Sequence, residues 1–137
     1  TNKRLGIGTT ALFSTLQVDD YGVAVGTGTF MASAGTEFEV DDYTFLQSDN
    51  SIHKVFEYTI YIQNSVGIQV QKILLMSDGT NVYHQDYAIM NTTSLIVQFE
   101  SSTQGSGTTA EQIYLAAVPE TGVSGITTYK YVRKVLI

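Results

Sequence analysis

Hydrophobic and polar residues alternate with a period of two along most of the chain, and no stretch repeats apolar residues at i, i+3, i+4 and i+7 over ten positions. Alternation puts successive side chains on opposite sides of extended backbone, so it predicts half-buried strands rather than helices. The longest case is "IHKVFEYTIYIQ", residues 52–63. There Phe56, Tyr58, Ile60 and Ile62 share one side and Val55, Glu57, Thr59 and Tyr61 the other. After the turn "NSVG" comes "IQVQKILLMS", 68–77, with Val70, Leu74 and Met76 opposed by Gln69, Gln71 and Ile73. A return strand over 81–90 follows. Asp78-Gly79 ahead of it suits a two-residue type I′ loop, whose central residues need positive φ. Both connections are short, so these three strands are expected to form one antiparallel meander.

Shorter strands are predicted at 22–25, 28–33 and 36–40, where Phe38 and Val40 oppose Glu37 and Glu39. Others fall at 95–100, 113–118 and 126–137. The polar stretches "QSDNS" and "SSTQGSGTTAEQ" read as loops. Near the N-terminus, Leu12, Ser14, Leu16 and Val18 share a face, with Phe13, Thr15 and Gln17 opposite. About nine short strands with turn signals between them predict an all-β fold, an antiparallel β-sandwich of jelly-roll type with a short N-terminal extension or strand. The expected division is an N-terminal segment at 1–20, serving as an intersubunit or linker region, and a sandwich domain at 21–137. The chain ends on Val135, Leu136 and Ile137, apolar on both faces, which predicts a last strand tied into a sheet or a subunit contact.

Composition narrows the function classes. The chain's 137 residues suit one domain that buries enough surface to fold without a disulfide or a metal. The absence of cysteine excludes disulfides and thiolate metal sites. Net charge is −6, which opposes binding to a phosphate backbone. Lys130, Arg133 and Lys134 cluster near the end, but on a strand Lys130 and Lys134 share a face and Arg133 takes the other. They read as a solvated rim or an intersubunit charge pair. No apolar run approaches the ~20 residues that span a bilayer as a helix. No signal-peptide pattern opens the chain. It begins with Thr1, so either an initiator methionine was removed or a longer polypeptide precedes it.

Candidate chemistry centres on Tyr83, His84, Asp86 and Tyr87. His84 and Asp86 are expected on one face with Val82, Ala88 and Met90, and Tyr83, Gln85, Tyr87 and Ile89 on the other. A hydrolytic pair would still need a nucleophile and oxyanion donors. Ser77, nearest in sequence, has no G-x-S-x-G elbow. The expected alternative is a polar rim in which tyrosine rings cover apolar surface and keep their hydroxyls wet. Zinc would need both histidines, His53 and His84, but their strands are separated by one other and the side chains by roughly 10 Å. For calcium, Glu37, Glu39, Asp41 and Asp42 supply oxygens without EF-hand spacing, so an acidic solvated rim is expected. Glu57 and Asp86 could serve a glycosidase only in a shared cleft. "GIG" and "GTG" do not form the nucleotide-binding glycine pattern. Nine tyrosines suit sugar stacking or protein interfaces, with Tyr21 and Tyr43 in loop-like sequence. These readings predict a non-enzymatic chain with no catalytic residues, no cofactor and no metal.

Two sets of residues resemble known proteins. "LGIGTTALFSTLQV" resembles a "GIGTT-x-P-x-x-x-L-x-V" motif that recurs in phage fibre and other virion proteins, with Ala11 where that motif often has proline. "VFEYTIYIQ", "KILLMSDGTNVYHQDYAIM" and "VPETGVSGITTYKYVRKVLI", in that order, resemble the C-terminal domain of virion structural proteins from T4-like cyanophages. Asp86 stands where that group has glutamate, and "SSTQGSGTTAEQ" resembles an insertion.

The resemblance implies a structural component of a tailed-phage virion: a fibre, tail appendage or capsid decoration. The implied partners are further copies of the chain, as a homotrimer, and other virion proteins, with no nucleic acid and no membrane. It also implies that neighbouring copies meet along residues 5–18, with Leu5, Ile7, Leu12, Leu16 and Val18 as contact residues. The alternative from another class is a carbohydrate- or receptor-binding module that meets a host-surface glycan.

Overall fold

The computed structural model describes residues 5–7, 16–18, 21–44, 55–78, 81–104 and 112–136. Its ten strands are β1 (Leu5–Ile7), β2 (Leu16–Val18), β3 (Tyr21–Ser33), β4 (Phe38–Thr44), β5 (Val55–Asn64), β6 (Gly67–Ser77), β7 (Val82–Asn91), β8 (Val97–Gln104), β9 (Gln112–Pro119) and β10 (Ser124–Leu136). A seven-stranded sheet has the order β1-β2-β3-β10-β5-β6-β7, and a three-stranded sheet the order β4-β9-β8. Every pairing is antiparallel except β1 with β2. The fold is the predicted antiparallel β-sandwich. Among the described residues no helix is long and apolar enough to cross a membrane.

The core follows from the alternation. Phe56, Tyr58, Ile60 and Ile62 of β5 and Ile73 and Leu75 of β6 are buried, and they meet Phe99, Ile113 and Leu115 from the small sheet. Each large apolar side chain removed from water contributes about 1.5–3 kcal/mol before entropy is charged against it. The meander β5-β6-β7 forms as expected. Val135 and Leu136 lie in β10, paired on both sides by β3 and β5, while Ile137 lies outside the described residues.

Three local expectations change. The glycine-rich segment is one continuous strand, β3, rather than two. Gly22, Ala24, Gly26 and Gly28 of β3 lie across from Val135, Arg133, Tyr131 and Tyr129 of β10. A Cβ at Gly26 would collide with the Tyr131 ring, and one at Gly28 with Tyr129. Glycine therefore stays in the strand because large β10 side chains lie over it, not because the chain turns. Asp78, expected at the centre of the hairpin loop, instead belongs to the pair that closes it: Asp78 N donates to Asn81 O and Asn81 N to Asp78 Oδ1. Lastly, β7 has a bulge opposite Gln71, where Ala88 takes φ 52°. The extra residue moves Met90 to the outer face, paired with Val70, rather than beside His84 and Asp86.

Candidate functional site

Strands β7 and β8 run along the same side of the sandwich, each at the edge of its own sheet. Between them runs a chain of polar side chains. His84 Nδ1 lies 2.9 Å from Ser101 Oγ of β8, and His84 Nε2 lies 2.9 Å from Asp86 Oδ1. Gln71 Nε2 donates to the same Asp86 oxygen at 2.8 Å. Gln69 Nε2 donates to Gln71 Oε1 and to Val97 O, and Gln69 Oε1 accepts from the amides of Ile96 and Val97. A carboxylate only accepts, so Nε2 of His84 carries a proton, and in the neutral ring Nδ1 accepts from the Ser101 hydroxyl. Gln69 and Gln71 are buried, and His84 is mostly covered.

The arrangement holds three residue types used for acyl transfer, with Asp86 orienting His84 and His84 facing Ser101. Ser77, the nearest serine in sequence, is buried within β6 instead. Sequence reasoning missed Ser101. The signal was present in the inward series Val97, Phe99, Ser101, which β8 carries past the inward face of β7. Ser101 sits mid-strand between Glu100 and Ser102, not on the sharp strand-to-helix turn that exposes a nucleophile. Tyr83 points outward, its hydroxyl on Asp78 Oδ2 at 3.0 Å, and that bond and charge hold its phenol above the usual range. Glu57 and Asp86 lie on opposite faces of the large sheet, so they share no cleft.

A second polar cluster lies inside the sandwich. In β4 the pairing slips between Glu39 and Asp41, leaving Val40 as an extra residue. The bulge turns both Val40 and Asp41 toward the core, against the expectation of an outward acidic rim. Asp41 Oδ2 accepts from Tyr58 Oη at 2.7 Å and from Arg133 Nη1 at 2.7 Å, and Oδ1 accepts from Tyr131 Oη at 2.8 Å. The side chains of Asp41 and Arg133 are 7% and 8% exposed. Arg133 is thus an internal ion-pair partner, not the rim or intersubunit charge its spacing implied. Burial and the Asp41 charge raise the Tyr58 and Tyr131 phenols well above their ordinary value. Burial alone would lower the Arg133 guanidinium, but Asp41 outweighs it and the group stays charged. With Asp41 committed inward, Glu37, Glu39 and Asp42 remain on the other side. Among the described residues no three His, Asp or Glu side chains are grouped to hold a metal ion. His53 lies outside the described residues, as do the side chains of Tyr21 and Tyr43.

The outer face of the seven-stranded sheet is the molecule's largest anomaly. Met31, Ile126, Val25 and Met90 are 71%, 70%, 66% and 65% exposed, and Tyr83, Met76 and Leu136 are about half exposed. All lie on this one face by strand register. In its middle is a hollow of about 470 Å³ lined by Val25, Thr27, Thr59, Tyr61, Lys130 and Val132, among others. Of the predicted contact residues, Leu5 pairs with Leu16 and Ile7 with Val18 at the β1 edge of this sheet. Leu5 and Leu16 are exposed at 61% and 40%. Leu12 lies outside the described residues.

No family model matches the chain, and no curated protein does. Among solved structures, the chain is similar to the crystal structure of the tailspike protein of Acinetobacter phage vB_ApiP_P1, at a TM-score of 0.52 and 14% identity. The likeness covers 82% of this chain and 21% of the tailspike, so the chain spans about a fifth of that protein's length. At that identity the likeness concerns the fold.

Proposed function

We propose that the chain is a non-enzymatic structural protein of a tailed-phage virion, a fibre, tail appendage or capsid decoration, that works in contact with further copies of itself and other virion proteins. The outer face of the seven-stranded sheet carries the proposal. Soluble monomers rarely leave this many large apolar side chains exposed on one sheet face, and such faces are characteristically covered by another protein. The likeness in fold to part of a phage tailspike supports a particle role. So does the resemblance of three ordered segments to virion proteins of T4-like cyanophages. Few charges suit packed contacts between subunits. The Ser101–His84–Asp86 network is read as framework. Both ring nitrogens of His84 and both glutamine amides are committed within it, joining the two sheets at their shared edge.

The test is mass spectrometry of purified particles of the phage that encodes the chain. Detection at many copies per particle supports the proposal, and absence from intact particles rejects it. The non-enzymatic part is tested separately with a fluorophosphonate probe. No Ser101-dependent labelling is expected, and labelling lost in Ser101→Ala would reverse that part.

One observation favours carbohydrate recognition as a second reading. At one end of the sandwich, Val66, Ser94, Leu95, Gln98, Glu120 and Thr121 border a hollow of about 510 Å³. Glu120 Oε1 is buried with no hydrogen-bond partner among the described residues. A sugar hydroxyl would satisfy that acceptor. Binding on a glycan array, abolished by Glu120→Ala, would favour this reading, and an array without signal would reject it.

A further inference from the structure

The two outer faces of the sandwich carry opposite charge. Of the four described lysine and arginine residues, Lys72, Lys130 and Lys134 all lie on the outer face of the seven-stranded sheet. Glu57 is the acidic residue among them, and it pairs with Lys72 at 4.0 Å. The outer face of the three-stranded sheet has the reverse character. Glu39 and Glu100 both pair with Ala116 and so flank it in one row, with Asp42 in the next. No described lysine or arginine lies on that face. Partial burial, then the neighbouring Asp42, raises the Glu39 carboxyl.

We infer that the outer face of the seven-stranded sheet receives the outer face of the three-stranded sheet of a second copy. This rests on the reading above that the chain works among further copies of itself, and it names the two surfaces that meet. The alternative is an isologous contact of two large-sheet faces. That would bring two sets of three lysines together against only two glutamates, and unmatched like charges across an interface cost several kcal/mol. The head-to-tail contact sets Lys130 and Lys134 against Glu39 and Glu100, while Val25, Val132 and the hollow beside them take up the apolar part. A heterologous contact of this kind uses a different surface on each partner, so it closes into a ring or continues as a filament.

The asymmetry makes the test sharp. Sedimentation velocity at micromolar concentration is run on the wild-type chain, on Lys130→Glu/Lys134→Glu, on Glu39→Lys/Glu100→Lys, and on an equimolar mixture of the two variants. All four positions are exposed, so each variant should keep a wild-type circular dichroism spectrum and melting transition. Expected are association of the wild type, monomers for each variant alone, and renewed association in the mixture, because the acidic small-sheet face of the first variant meets the basic large-sheet face of the second and the two reversed faces match as well. If Glu39→Lys/Glu100→Lys associates as the wild type does, the small sheet is not in the contact and the inference falls, though self-association stands. A mixture that stays monomeric also overturns it. If the wild-type chain itself is monomeric, both the inference and the reading it rests on fail.

Discussion

Replacing Asp41 with asparagine removes one negative charge from the interior and little else. The amide has nearly the carboxylate's shape and keeps one oxygen as an acceptor. Arg133 then remains charged at 8% side-chain exposure without its counter-ion. Breaking a buried pair by removing one partner typically costs about 3–5 kcal/mol, because the surviving charge stays desolvated. Tyr58 and Tyr131 now compete for one oxygen where each had its own. An unsatisfied buried hydroxyl costs about 1–3 kcal/mol, part of which overlaps with the first figure. Against a total stability of roughly 5–15 kcal/mol, the variant should be badly weakened. Urea unfolding reads this directly: at an m-value of about 2 kcal/mol/M, a 4 kcal/mol loss lowers the midpoint by about 2 M. Arg133→Met in the Asp41→Asn background should recover much of the loss, since no unpaired charge then remains. The double variant should be less damaged than the sum of the two single ones by about 2 kcal/mol or more. If Asp41→Asn stays within 1 kcal/mol of wild type, or the two effects simply add, the pair is not the internal ionic centre described here.

The same cluster sets an alkaline limit. Below pH ~10 Tyr58 is protonated whether the chain is folded or not; above it the unfolded chain loses the proton first, so stability falls by about 1.4 kcal/mol per pH unit, with a smaller solvent-screened part from Tyr131. Urea midpoints that stay level or rise between pH 9 and pH 11 would contradict this. Gly26→Ala should cost about 2–3 kcal/mol and Gly28→Ala less, since Tyr131 is pinned by Asp41 whereas Tyr129 is held by ring contacts alone; equal melting temperatures for the two variants would count against it. Ala88→Gly should stabilise by up to about 1 kcal/mol, because φ 52° strains any residue with a Cβ, and a lower urea midpoint for this variant would contradict the bulge geometry.

What the sequence disclosed was whatever depends on period two. The core row Phe56, Tyr58, Ile60, Ile62 and the split of Arg133 from its two lysines follow from alternation, and the meander from alternation with two short connections. What it concealed depends on one-residue exceptions. At Val40 an extra residue reverses the parity of β4 and carries Asp41 from rim to interior. At Ala88 another moves Met90 to the opposite face. Neither residue is a glycine or a proline, so no local signal marked either bulge. The β3 glycines did carry a signal, though a long-range one. Small residues at 22, 24, 26 and 28 match large ones at 135, 133, 131 and 129, a match visible only once the two strands are known to pair. Ser101 was hidden for a similar reason, because its meeting with His84 joins two different sheets.

Two of the polar clusters inside this sandwich share a task. Asp41 bonds across from β4 to β5 and β10, and Gln69, Gln71, Asp86, His84 and Ser101 link β6 and β7 to β8. Each cluster therefore ties the seven-stranded sheet to the three-stranded one, at positions where apolar contact alone would allow the sheets to slide. A fixed relation between the sheets is what a repeated assembly requires, because each copy must present both of its outer faces at the same angle. On that argument, a mild loosening of the cluster around His84 should disturb contact between copies before it disturbs folding. Ser101→Ala removes one hydrogen bond, worth about 1 kcal/mol, from a position that touches neither outer face. If sedimentation shows weaker self-association in this variant while its urea midpoint barely moves, the inner network serves the assembly. If association is unchanged, the network serves the fold alone.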